Sequence, residues 1–133
     1  MNYVLDACAV IAFLRGEDGS DIIEEVLLNP ENVCMIHAIN LCEVYYDFLR
    51  VADEAAAQSA VNDIDSIGVM TREDMGMALW QAAGSVKARG KVSLADCFAI
   101  ALANKEVAEV ITSDHKEFDP IAAAGICNVK FFR

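Results

Sequence analysis

Paired cysteine ligands are missing from this sequence. Its five cysteines, Cys8, Cys34, Cys42, Cys97 and Cys127, are odd in number, none form a C-x-x-C pair, and four of them lie in apolar stretches. With only His37 and His115 to help, a zinc site is not expected, and the cysteines read as small core residues of a reducing compartment. Positive charge is also scarce: 10 Lys and Arg face 21 Asp and Glu, a net charge of −11. Such a balance argues against non-specific nucleic-acid binding through a basic surface. No apolar run reaches the ~20 residues of a membrane span. The start lacks a basic segment and carries Asp6, so no secretory signal is expected and a cytoplasmic location is. A glycine-rich phosphate loop, an internal repeat and a linker are all missing.

What remains is 133 residues, 56% hydrophobic, enough for one domain with a sizeable core. Tyr3–Leu5, Val33–Ile36 and Glu109–Thr112 are short apolar runs that suit strands buried on both faces. Gly68–Met70 is a candidate edge strand and Asn128–Phe132 a last strand. Between them, apolar spacing predicts helices over Ala7–Leu14, Asp21–Leu28, Ala38–Val51, Glu54–Ile67, Arg72–Ala88 and Ser93–Asn104. Strands and helices mostly alternate, which predicts an α/β fold with a central parallel sheet flanked by helices.

Four acids interrupt or abut these apolar elements: Asp6, Glu43, Asp96 and Asp114. Each has a bland explanation. Asp6 can cap the first helix, Asp96 stands at the third position after Ser93 in a capping-box pattern, and Asp114 can cap a short turn through Phe118. Glu43 can belong to a solvated stripe with Asn40, Asp47 and Arg50. A parallel sheet, however, brings all four to the edge formed by the strand C-termini, where open α/β sheets bind ligands. Carboxylates crowded there repel one another unless hard cations sit among them. Oxygen ligands without a Cys or His set point to Mg²⁺ or Mn²⁺, and such ions suit phosphodiester hydrolysis. Thr112, Ser113 and Asn40 are candidate supporting residues. Two divalent ions would reduce the charge to −7. Lys87, Arg89 and Lys91 alternate in one short stretch that is either a solvated loop or a phosphate contact.

The sequence resembles the PIN-domain nucleases, most of all the VapC-type toxins of prokaryotic toxin–antitoxin pairs. The resemblance rests on Tyr3-Val4-Leu5-Asp6 with Ile11–Glu17, Ile39-Asn40-Leu41-Cys42-Glu43-Val44, Leu94-Ala95-Asp96-Cys97-Phe98-Ala99-Ile100-Ala101 and Thr112-Ser113-Asp114-His115-Lys116-Glu117-Phe118. It implies a single PIN-like domain over residues 1–133 with sheet order 3-2-1-4-5. It also implies Mg²⁺- or Mn²⁺-dependent endonucleolytic cleavage of RNA, with Asp6, Glu43, Asp96 and Asp114 as catalytic and metal-binding residues. The implied partners are a second copy of the chain and a small antitoxin. One departure stands out: many members carry Ser or Thr just after the first Asp, where this chain has Ala7-Cys8. An inert PIN-like domain that docks proteins and a housekeeping RNA-processing nuclease are the alternatives. An acidic-pocket phosphatase or signalling domain would need a second acid beside Asp6, which Ala7-Cys8 does not supply.

Overall fold

The computed structural model describes residues 1–133. Five strands, β1 (Asn2–Leu5), β2 (Val33–His37), β3 (Met70–Arg72), β4 (Glu109–Thr112) and β5 (Asn128–Phe131), form one sheet in the order 3-2-1-4-5. Every strand pair is parallel. Seven helices connect them: α1 (Ala7–Arg15), α2 (Ser20–Leu28), α3 (Ala38–Val51), α4 (Glu54–Ser66), α5 (Met77–Arg89), α6 (Leu94–Glu106) and α7 (His115–Ala123). The order is the one that the resemblance implies.

Alternation along each strand divides the core between the two faces. Val4, Met35 and Val110 face α5, α6 and α7, where they meet Leu79, Leu102 and Phe118. Tyr3, Leu5, Ile36 and Ile111 face the other way, onto Val10, Ile23 and Ile64. Both faces are covered, which is why the strands read as continuous apolar runs. Helix α6 is buried without a break from Cys97 to Ala103, so its middle turns are covered on every side while its two ends reach the surface. All five cysteines are free thiols. Gly19, with φ +86°, lies so close to Phe132 that a Cβ would stand 2.2 Å from its carbonyl oxygen. Glycine there lets the last residues pack on the turn before α2.

Two elements differ from the sequence expectation. The third strand covers Met70–Arg72 rather than Gly68–Met70, and the following helix begins at Met77 rather than Arg72. Arg72 is the reason. Its guanidinium forks onto Asp74 at 2.9 Å through Nε and Nη2, and Nη2 also donates to Glu106 at 3.0 Å. Lys105 joins the same Asp74 carboxylate. This network ties the end of β3 to α6 and carries the Asp74 carboxyl well below the usual carboxylate range. The second difference is α7, where the sequence suggested no more than a short turn. Pro120 lies inside this helix and removes one backbone donor. Burial of Phe118 and Ile121 on its inner face outweighs that loss.

Candidate metal centre at the strand C-termini

Strand β1 lies between β2 and β4, with Leu5 in register with Ile111. The chain turns to opposite sides of the sheet from this point, which opens a crevice past the C-terminal ends of β1 and β4. Asp6 and Thr112 sit at those two ends. Asp6 caps α1, its Oδ1 accepting the Ala9 N–H at 2.9 Å, and it is only 2% exposed. The capping explanation and a place in the crevice therefore hold together. Burial raises its carboxyl from the ordinary 3.8 to about 6, against hydrogen bonds from Thr112, Cys8 and Ala9 that favour the charge; the Asp114 charge adds a smaller push upward.

Asp96 stands in the first turn of α6, where its N–H donates to Ser93 Oγ at 3.3 Å. Its carboxyl is pushed up, first by burial, then by the adjacent Glu117 carboxylate and the Asp6 charge. Asp114 caps α7, its Oδ1 accepting the Glu117 N–H at 3.0 Å. Glu43 enters from α3, half-buried, with the Tyr46 hydroxyl 3.4 Å away. Burial raises it as well, and the Glu117 charge adds to the rise. A cavity of about 300 Å³ has Asp6, Glu43, Asp96 and Asp114 in its walls, together with Cys8, Ser93, Ser113 and Glu117.

Glu117 is the acid that the four-residue sequence pattern left out. Carboxylate oxygens of Asp96, Asp114 and Glu117 all lie within 4.8 Å of one another. Glu117 Oε1 accepts the Ser93 N–H at 3.0 Å, and its Oε2 is buried with no partner. A buried carboxylate oxygen without a donor is costly and calls for a cation. The signal was in the sequence: positions 114 and 117 share a face only if residues 115–123 are helical.

The supporting residues separate. Ser113 lines the cavity. Thr112 is buried behind Asp6, and its Oγ1 accepts the Asp114 N–H at 3.0 Å, so it joins the two strand-end acids. Asn40 is placed outside the cavity: fully buried, it donates from Nδ2 to the Ala95 carbonyl at 3.1 Å and ties α3 to the start of α6. Asp47, on the expected solvated stripe, instead pairs with Arg15 at 2.8 Å. Cys8 fills the place where a hydroxyl is usual. Its Sγ donates to Asp6 Oδ1 at 3.1 Å and Oδ2 at 3.3 Å and lies 3.5 Å from Ser113 Oγ. Burial, then the Asp6 charge, push the thiol up to about 12.

The cavity offers five carboxylates, the hydroxyls of Ser93 and Ser113 and one thiol; one carboxylate oxygen is orphaned, and three carboxyls, Asp6, Asp96 and Glu43, are pushed upward, each chiefly by burial. That set fits a hard divalent cation. Residues 3–124 match the PIN domain family, and the chain belongs to it. Its fold is similar to VapBC-1 from nontypeable Haemophilus influenzae, at TM-score 0.74 and 16% identity over 99% of this chain and 98% of that one. It is similar also to VapBC2 from Rickettsia felis, solved bound to a DNA fragment from their promoter, at TM-score 0.75 and 20% identity over 98% of each chain. A third similar structure is VapC20 of Mycobacterium tuberculosis, described as a Sarcin-Ricin loop cleaving toxin, at TM-score 0.67 and 18% identity over 92% of this chain and 95% of that one. No curated protein matches the chain.

Proposed function

We propose that the protein is a metal-dependent endoribonuclease, the toxin of a type II toxin–antitoxin pair, with RNA as substrate and a small antitoxin and a second copy of itself as partners. The observation that carries this is the cavity: Asp96, Asp114 and Glu117 within 4.8 Å, with Asp6 and Glu43 in the same walls. The similar VapBC and VapC20 structures support the toxin assignment, and the VapC20 description supports RNA as the substrate class. No helix is long and apolar enough to cross a membrane.

Mg²⁺ or Mn²⁺ bound by these acids would lower the pKa of a water molecule and stabilise charge on the phosphate oxygens. The chain's own residues set the rest. Asp96, Asp114 and Glu117 would hold the cation, with Asp6 and Glu43 in the same cavity walls as further carboxylate ligands. The Thr112 hydroxyl donates to Asp6 and accepts the backbone N–H of Asp114, so one side chain fixes both acids. Asn40 positions the turn of α6 that carries Asp96.

Mn²⁺ is expected to raise the melting temperature, because a ligand that binds only the folded state stabilises it by about 2.7 kcal/mol at a hundred times its Kd. For a chain of this size that is roughly 10 °C. Single-stranded RNA should be cut in Mn²⁺ and left whole in EDTA. A flat melting temperature up to millimolar Mn²⁺, with RNA intact, would reject the assignment. The net charge of −11 favours one rival, a PIN domain that docks proteins without turnover. Metal binding with no cleavage of any RNA would establish that rival instead.

Cys8 carries a separate expectation. Sulfur is a softer donor than oxygen, and this thiol is in contact with both oxygens of Asp6. Cd²⁺ should therefore stabilise the parent protein more than Cys8→Ser, while Mg²⁺ should favour the variant. Equal Cd²⁺-induced shifts in melting temperature would show that Cys8 takes no part in holding the ion.

A further inference from the structure

Most cations of this acidic chain are already engaged. Arg15 and Arg50 pair with Asp47, Arg72 with Asp74 and Glu106, Lys105 with Asp74, and Arg133 with Glu17. Lys87, the first of the alternating basic residues, donates from Nζ to the Val92 carbonyl at 2.7 Å and so fastens its own loop. Arg89, Lys91, Lys116 and Lys130 are left without a partner. Three of these four, Arg89, Lys91 and Lys116, line a single groove of about 240 Å³ between the end of α5 and α7. Glu117 belongs to the walls of both this groove and the acid cavity, so the two are contiguous. Lys130 lies apart, in another depression beside Tyr3 and Glu25.

Three exposed positive charges without an ion-pair partner share one groove with a single acid, Glu117, so on a protein of net charge −11 this groove is the place that favours a polyanion. The groove floor is aliphatic, with Val86, Val92 and Ile121 and no aromatic ring. Bases have nothing flat to stack on, so a strand would be held by its phosphates and not by its bases. The acid cavity alone would repel a polyanion approaching it. A basic groove at its rim gives the phosphodiester backbone a counter-charge while the scissile phosphate enters.

We propose that Arg89, Lys91 and Lys116 form a backbone-binding subsite for single-stranded RNA, seating phosphates that flank the scissile bond. The subsite rests on the nuclease assignment for its purpose, yet it can be tested apart from cleavage. Fluorescence polarisation of a labelled single-stranded RNA in EDTA would compare the parent protein with Arg89→Gln/Lys91→Gln/Lys116→Gln and with Lys130→Gln. The triple variant should bind at least about tenfold more weakly. The slope of log Kd against log salt should fall by about 2, from ~0.7 for each phosphate released on a single strand. Lys130→Gln should match the parent. All four side chains lie outside the hydrophobic core, so melting temperatures should stay together.

Unchanged affinity and slope in the triple variant would overturn the subsite, as would a parent protein that binds no RNA in EDTA. Cleavage by the parent in Mn²⁺ reports on the nuclease assignment alone. Active parent protein with an indifferent groove removes the subsite and keeps the nuclease. Groove-dependent binding with no cleavage keeps the subsite and removes the nuclease.

Discussion

Asp6→Asn is expected to melt higher than the parent protein in EDTA and to lose at least about a hundredfold in RNA cleavage. The two effects have one cause. Asp6 is a carboxylate at the back wall of the cavity, only 2% exposed, so its charge is poorly solvated until a cation stands alongside. Its rise from 3.8 to about 6 corresponds to roughly 3 kcal/mol of strain in the ionised form. An amide escapes that cost but weakens the cap on the Ala9 N–H, worth ~0.5–2 kcal/mol. Desolvation is the larger quantity, so a net gain of about 1–2 kcal/mol remains, or roughly 5 °C.

The pH dependence follows from the sign of the shift. A carboxyl raised on folding binds its proton more tightly in the folded state, so the parent draws full benefit below about pH 4 and loses it as pH rises through 6. The advantage of Asp6→Asn should therefore be absent below pH 4 and complete above pH 7, by thermal unfolding in EDTA. Saturating Mn²⁺ should reverse the order, because the parent then gains an ion that the variant holds poorly. Loss of activity is set at a minimum by the 10–100-fold that even residues behind metal ligands contribute. An Asp6→Asn protein that melts lower than the parent at pH 8 without metal would contradict the burial argument.

Much of this site was visible as interruption. Asp6, Asp96 and Asp114 stand out because strands covered on both faces and a buried helix leave no other reason for an acid beside them. Repulsion among the carboxylates was the force expected to make the pocket uncomfortable. For Asp6 burial is the greater force, and the Asp114 charge is a minor one. Burial depends on what packs around a residue, which sequence spacing does not reveal. The displaced third strand has the same origin: Arg72 is held by Glu106 and Lys105 shares its partner Asp74, both more than thirty residues away. Asn40 matched the helical stripe of Glu43, but its contact is Ala95, on another helix. Cys8 read as a missing hydroxyl, although its thiol makes the contacts with Asp6 that a hydroxyl would. Glu117 stayed hidden because Pro120 concealed the helix that turns it toward Asp114.

That helix is the weakest link between core and site, and Phe118→Ala should expose it. Helix α7 has nine residues, too few to stand alone in water. It is held by Phe118, fully buried against the face of the sheet that also carries Val4 and Val110. Truncation to alanine should cost about 3–5 kcal/mol, a large share of the ~5–15 kcal/mol by which a domain is stable. The melting temperature should fall by more than ~10 °C, and Phe118→Leu should lose well under half of that. Asp114 caps this helix and Glu117 directly precedes Phe118 on it, so the stabilisation by Mn²⁺ should shrink in Phe118→Ala together with its melting temperature. A fall of less than ~1 kcal/mol would mean that Phe118 does not anchor α7. A full-sized Mn²⁺ response in the destabilised variant would instead place the cation on Asp6, Glu43 and Asp96, with the acids of α7 as bystanders.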